Sequence, residues 1–145
     1  MVLTDNWFTA LSENEDGTYT FISGRTGIEE FIKSRKLRER LEVVWTYNAD
    51  GKGLPADDKE AQLMEEVGDL LRKVMEKDKL AIVTGIYTGQ GKREINFICR
   101  SIGAFGDRLN DALSKYPQLP IVVNAYDDPD NEEYRELLEL KGEED

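Results

Sequence analysis

Trp7, Tyr87, Arg93, Tyr126, Asp127 and Asp128 carry most of the recognition chemistry this sequence offers. Arg93 can grip an anionic group through two parallel N–H···O bonds. Asp127 or Asp128 could accept a proton as a general base. Trp7, Tyr87 and Tyr126 supply flat apolar walls with a polar rim. The set describes a ligand or partner site, with Trp7, Tyr87, Arg93 and Tyr126 lining a pocket between a sheet and a hairpin.

The chemistry excluded is as informative. Histidine is absent, which removes the commonest general base and transition-metal ligand. No catalytic set is expected, and neither is a cofactor. Cys99 is the only cysteine; it shares strand parity with Ile95 and Phe97 and reads as a small core hydrophobe. The run Gly89-Gln-Gly-Lys-Arg93 is followed by a strand rather than a helix, so it is a turn and not a phosphate cradle. Asp127 to Glu133 is rich in oxygen ligands. It lacks the glycine and spacing of a calcium loop, and it suits a turn and helix cap, so no metal is expected.

The net charge is −11, and nine acids against Arg135 and Lys141 after Asp127 account for most of it. A solvated acidic end disfavours nucleic acid as a partner, because phosphate neutralisation needs clustered Lys and Arg. The cluster Lys33 to Arg40 is the one basic stretch and reads as a solvated linker. No apolar run is long enough for a membrane span, and no membrane partner is expected. The lone cysteine and the start of the chain point to a cytoplasmic address.

Two strand-helix-strand units must position these residues. The first is Leu41 to Tyr47, a helix capped by Asp57 with Glu60 in a capping-box variant, and Leu80 to Tyr87. The helix carries the stripe Leu63, Met64, Val67, Leu70, Leu71, Val74 and Met75. The second is Arg93 to Cys99, a helix bearing Phe105, Leu109 and Leu113, and Ile121 to Tyr126. That order predicts an α+β, ferredoxin-like βαββαβ fold, with a four-stranded sheet and both helices on one face. An N-terminal hairpin around Glu13-Asn-Glu-Asp-Gly17 precedes it, and a helix from Glu132 to Leu140 follows. Residues 1–140 are expected to form a single domain, and 141–145 a frayed acidic tail. On the second face of the sheet the alternation places Val44, Val83, Ile98, Val122 and Tyr126 beside Glu42, Glu94, Asn96 and Asn124. An apolar stripe of that kind calls for a cover, either the hairpin or a second subunit.

Several short strings are shared with one family. They are Asn6-Trp7, Val44-Trp-Thr-Tyr47, Gly53-Leu-Pro55, Thr88 with Gly91-Lys-Arg93, and Asp127-Asp-Pro129 with Tyr134. Through them, residues 6 to 137 resemble the domain-of-unknown-function family six-nine-five. The resemblance implies a ferredoxin-like fold, similar to the regulator of ribonuclease E activity B, and it implies no catalytic set. Where many members continue Asp-Pro with tryptophan, this chain has Asp130.

The expectation is a non-catalytic regulatory or protein-interaction module, with another protein as partner. Homodimerisation through the sheet face stays open. The alternative is a small-molecule binder or enzyme using the pocket between sheet and hairpin.

Overall fold

The structure, a computed structural model, describes residues 2–141. Of the expected frayed tail only Lys141 falls within them; 142–145 lie outside the described residues. The elements in chain order are β1 (Asn6–Glu13), β2 (Tyr19–Thr26), α1 (Glu29–Ser34), β3 (Glu39–Thr46), α2 (Asp58–Glu76), β4 (Ala81–Gly89), β5 (Lys92–Cys99), α3 (Ile102–Ala112), β6 (Ile121–Asp127) and α4 (Glu132–Glu139). The fold is α+β. All six strands join one antiparallel sheet in the order β1-β2-β4-β5-β3-β6.

This corrects the four-stranded expectation. The N-terminal hairpin does not lie across the sheet but lengthens it, with β2 pairing along β4. The β4–β5 connection is a two-residue turn. Gln90 and Gly91 both hold positive φ, 54° and 82°. That geometry matches the twist of the flanking strands and favours glycine.

Period-two alternation puts Leu41, Val43 and Trp45 of β3 onto the first face, with Ile95, Phe97 and Cys99 of β5 beside them. Helix α2 covers this layer with Met64, Val67, Leu71 and Met75, and α3 adds Phe105 and Leu109. The Phe97 and Phe105 rings meet edge to face, 5.0 Å between centroids. Arg108 ties α3 to the end of α2: its Nη1 donates to the Val74 carbonyl at 3.0 Å, and its Nη1 and Nη2 donate to the carboxylate of Asp78, just past the helix, at 2.6 and 3.0 Å. Asp57 caps α2 by accepting from the Lys59 amide. The expected partner Glu60 turns elsewhere and accepts from the Trp45 indole and the Asn48 amide.

The second face carries its own core, under α1 and α4 rather than under the hairpin. Phe31 and Ile32 of α1, Tyr134 and Leu137 of α4, and Leu37 pack on Ile22, Ile82 and Ile98. Val83 was expected on this side, yet it lies in the first-face core. A register shift between Val83 and Gly85 inverts the alternation of β4. Gly85 is required by close approach: a Cβ there would stand 2.5 Å from Leu137 Cδ2 and 3.3 Å from the Ser23 carbonyl oxygen.

A buried ion pair holds that irregular segment. Arg25 of β2 is 1% exposed. Its Nη1 donates to Glu76 Oε2 at 2.8 Å and to the Val83 carbonyl at 3.1 Å, and its Nε donates to the Thr4 carbonyl. Glu76, at the end of α2, accepts from the Val83 amide at 3.0 Å through the same oxygen. Removing Arg25 would leave Glu76 with Arg72 Nε, at 3.3 Å, as its cation and would take a donor from the Val83 carbonyl.

Two outcomes follow from these packing arrangements. Arg25→Met should cost about 1.5–3 kcal/mol, the range for losing hydrogen bonds to a charged group, because Glu76 keeps Arg72 as a partner. Urea denaturation will measure it, and a loss below about 1 kcal/mol, the range of an exposed pair, would contradict the assignment. Burial pushes the Cys99 thiol up to about 12. In native protein at about pH 8 it should therefore resist an aromatic disulfide reagent, and it should react fully once urea unfolds the chain.

Candidate functional site

The expected pocket is divided between the two faces of the sheet. Trp7 and Arg93 meet in a cleft of about 280 Å³ on the first face, between α2 and the hairpin. Tyr87 and Tyr126 lie on the second face. The division follows from register: Arg93 pairs with Thr88, whereas Tyr87 pairs with Glu94, so Arg93 and Tyr87 project to opposite sides.

The floor of the cleft is Val83, Ile86 and Ile95, and Trp7 forms a wall. Its α2 wall presents Glu65, Gly68, Asp69 and Arg72, which recur at i, i+3, i+4 and i+7 on one helical face. The Trp7 indole N–H donates to Asp5 Oδ1 at 2.5 Å, and Arg72 Nη2 donates to the same oxygen at 2.6 Å. These two bonds hold the Asp5 carboxyl below the usual carboxylate range. The guanidinium carbons of Arg25 and Arg72 each lie 5.3 Å from the Trp7 ring centroid, a favourable cation–π distance. Arg93 donates from Nε to Thr88 Oγ1 at 3.1 Å and from Nη1 to Glu65 Oε1 at 2.9 Å. Ser23 of β2 completes the lining.

The cleft opens onto the hairpin. Phe21 pairs with Thr88, and Leu11 pairs with Phe21. All three share the cleft's side of the sheet, and Leu11 and Phe21 are 56% and 50% exposed.

On the second face the remaining expected residues gather around Arg40. Its guanidinium lies 4.0 Å from the Tyr126 ring centroid, and its Nη1 donates to Asn96 Oδ1 at 3.0 Å. The Tyr126 hydroxyl and Asn124 Nδ2 both donate to Glu42 Oε1, at 3.2 and 3.3 Å. The charge of Glu42 raises the Tyr126 hydroxyl. Burial raises the Glu94 carboxyl; Lys92 opposes this and neighbouring Glu42 adds to it. The Tyr87 hydroxyl donates to Glu133 Oε2 at 3.0 Å, and burial raises both groups. Asp128 caps α4, accepting from the Glu132 and Glu133 amides at 2.9 and 3.3 Å. Its carboxylate is thus committed to the helix rather than to a substrate. Asp127 is exposed at the end of β6, opposite Glu39.

The sequence reading missed Ser23, Glu65, Gly68, Asp69 and Arg72. The four α2 residues were visible as a polar stripe at helical spacing, although only the fold shows that the stripe faces a cavity. Arg40, read as part of a solvated linker, is instead half-buried within the network of β3, β5 and β6.

No group of three or more His, Cys, Asp or Glu among the described residues is arranged to hold a metal ion. No helix among them is long and apolar enough to cross a membrane.

Neither a curated protein nor a solved structure matches the chain. A family model described as a family of unknown function, DUF695, matches residues 5–139. That span runs from the residue before β1 to the end of α4, and the chain belongs to this family.

Proposed function

We propose that this protein is a non-catalytic binding module whose first-face cleft holds a small charged organic molecule. One observation carries the reading: the fold brings Trp7, Arg72 and Arg93 around an apolar floor in a cavity of about 280 Å³. Ligand sites are typically concave and largely apolar, with a few convergent polar groups, and span about 300–1,000 Å³, so this one suits a small ligand. The capping role of Asp128 and the deep burial of Cys99 favour binding over catalysis. The order β4-β5-β3-β6 within the larger sheet supports a ferredoxin-like arrangement extended at the β4 edge by the hairpin. The single cysteine favours a cytoplasmic address.

A second reading has its own support. Val122 of edge strand β6 is 60% exposed, and Val123 and Tyr126 beside it are also open. An exposed edge with apolar side chains can pair with another chain, either a partner protein or a second copy. Light scattering separates those two cases.

Gly68 offers the sharpest test of the cleft. Glycine inside a helix costs about 1 kcal/mol relative to alanine. A Cβ at Gly68 would meet only Ile95 Cδ1, at 3.5 Å, an ordinary contact. Gly68→Ala should therefore stabilise the fold by up to about 1 kcal/mol while narrowing the cleft and weakening its ligands. Thermal denaturation reads the first effect. The Trp7 indole N–H resonance reads the second, during a screen of small carboxylates, amines and amino acids, with the buried Trp45 indole as internal control. A screen in which no compound moves the Trp7 resonance overturns the small-molecule reading.

A further inference from the structure

We infer that the cleft takes a free α-amino acid with a large apolar side chain, an inference that rests on reading the cleft as a small-molecule site. The argument comes from which polar atoms are already used. Arg72 spends Nε on Glu76 and Nη2 on Asp5. Arg93 spends Nε on Thr88 and Nη1 on Glu65. Arg72 Nη1 and Arg93 Nη2 therefore have no acceptor among the described residues, so two guanidinium donors of one cleft remain available. A carboxylate offers two acceptor oxygens, enough for one bond from each donor.

The opposite charge is also unspent. The Asp69 carboxylate and the Ser23 hydroxyl line the same cleft and have no hydrogen-bond partner among the described residues. An ammonium group, with three donors and no acceptor, suits both. The charged side chains of the lining, Glu65, Asp69, Arg72 and Arg93, sum to zero. A lone anion would sit beside unpaired Asp69, and a lone cation would leave both guanidinium donors unused. A molecule carrying an ammonium and a carboxylate on one carbon meets both needs without breaking an existing ion pair. Its apolar body would rest on Ile86 and the Trp7 wall, with Phe21 next along the same sheet face.

Calorimetric titration of the full chain with phenylalanine, hydrocinnamate and phenethylamine tests this. The second probe lacks the amine and the third lacks the carboxylate. Phenylalanine should bind at least about tenfold more tightly than either, the loss expected when one charged hydrogen-bonding group is missing. Asp69 is exposed and makes no internal bond, so Asp69→Asn should leave the fold intact. It should weaken phenylalanine and phenethylamine about tenfold, whereas hydrocinnamate should bind no more weakly, since the substitution removes a like charge beside it. If hydrocinnamate or phenethylamine binds as tightly as phenylalanine, the amino-acid assignment is overturned and the small-molecule site stands. If none of the three binds while another compound moves the Trp7 resonance, the assignment again falls alone. Only silence of every probe and of the whole screen removes both.

Discussion

The Arg25–Glu76 pair is the contact on which the rest of the molecule depends, because it joins three elements at the point where β4 departs from regular geometry. Glu76 ends α2 and takes the Val83 amide, while Arg25 comes from β2 and takes the Val83 carbonyl. A register shift leaves backbone groups that regular pairing would have satisfied. Here a buried charge pair supplies the partners. Buried pairs are poor sources of net stability, but they are costly to half-remove and geometrically demanding. The consequence is positional: β2 is locked alongside β4, α2 is locked above both, and the phase of β4 is set.

Much of the rest follows from that phase. Past the shift, Gly85 faces the second side and admits Leu137, so α4 can close over Ile82 and Ile98. Ile86 turns to the first side and forms the floor of the cleft, while Tyr87 reaches Glu133. The same Arg25, together with Arg72, flanks the Trp7 ring and fixes the wall of the cleft. The shape of the cleft and the stability of the fold thus share one set of side chains.

The period-two and period-3.6 patterns of β3, β5, α2 and α3 were legible in the residues, because alternation and helical stripes record which side is apolar. The inversion at Val83 was not. A bulge changes the phase of a strand without altering its composition, and the groups that stabilise it, Arg25 and Glu76, are distant in sequence. The cover of the second face was misjudged for a related reason. The hairpin's aromatic residues suggested a lid, but backbone pairing of Phe21 with Thr88 makes the hairpin part of the sheet. Trp7 and Arg93, which line the cleft, stood out in the sequence because their chemistry is distinctive. Gly68 and Asp69 did not, since a helix's polar stripe ordinarily faces water, and only the hairpin's position turns this one toward a cavity.

The placement of β3 has a kinetic side. It lies between β5 and β6, and neither neighbour adjoins it in the chain. Glu42 of β3 bonds Asn124 of β6 across 82 residues, whereas β1–β2 and β4–β5 close through short turns. Loop-closure entropy must be met before distant pairings reward it. The two hairpins can zip early, and β3 waits for the last strand. During synthesis the outer edge of β3 has no partner until β6, the last strand, has left the ribosome, so an edge that ends up inside the sheet, one strand in from its border, stays open longer than those of the two hairpins.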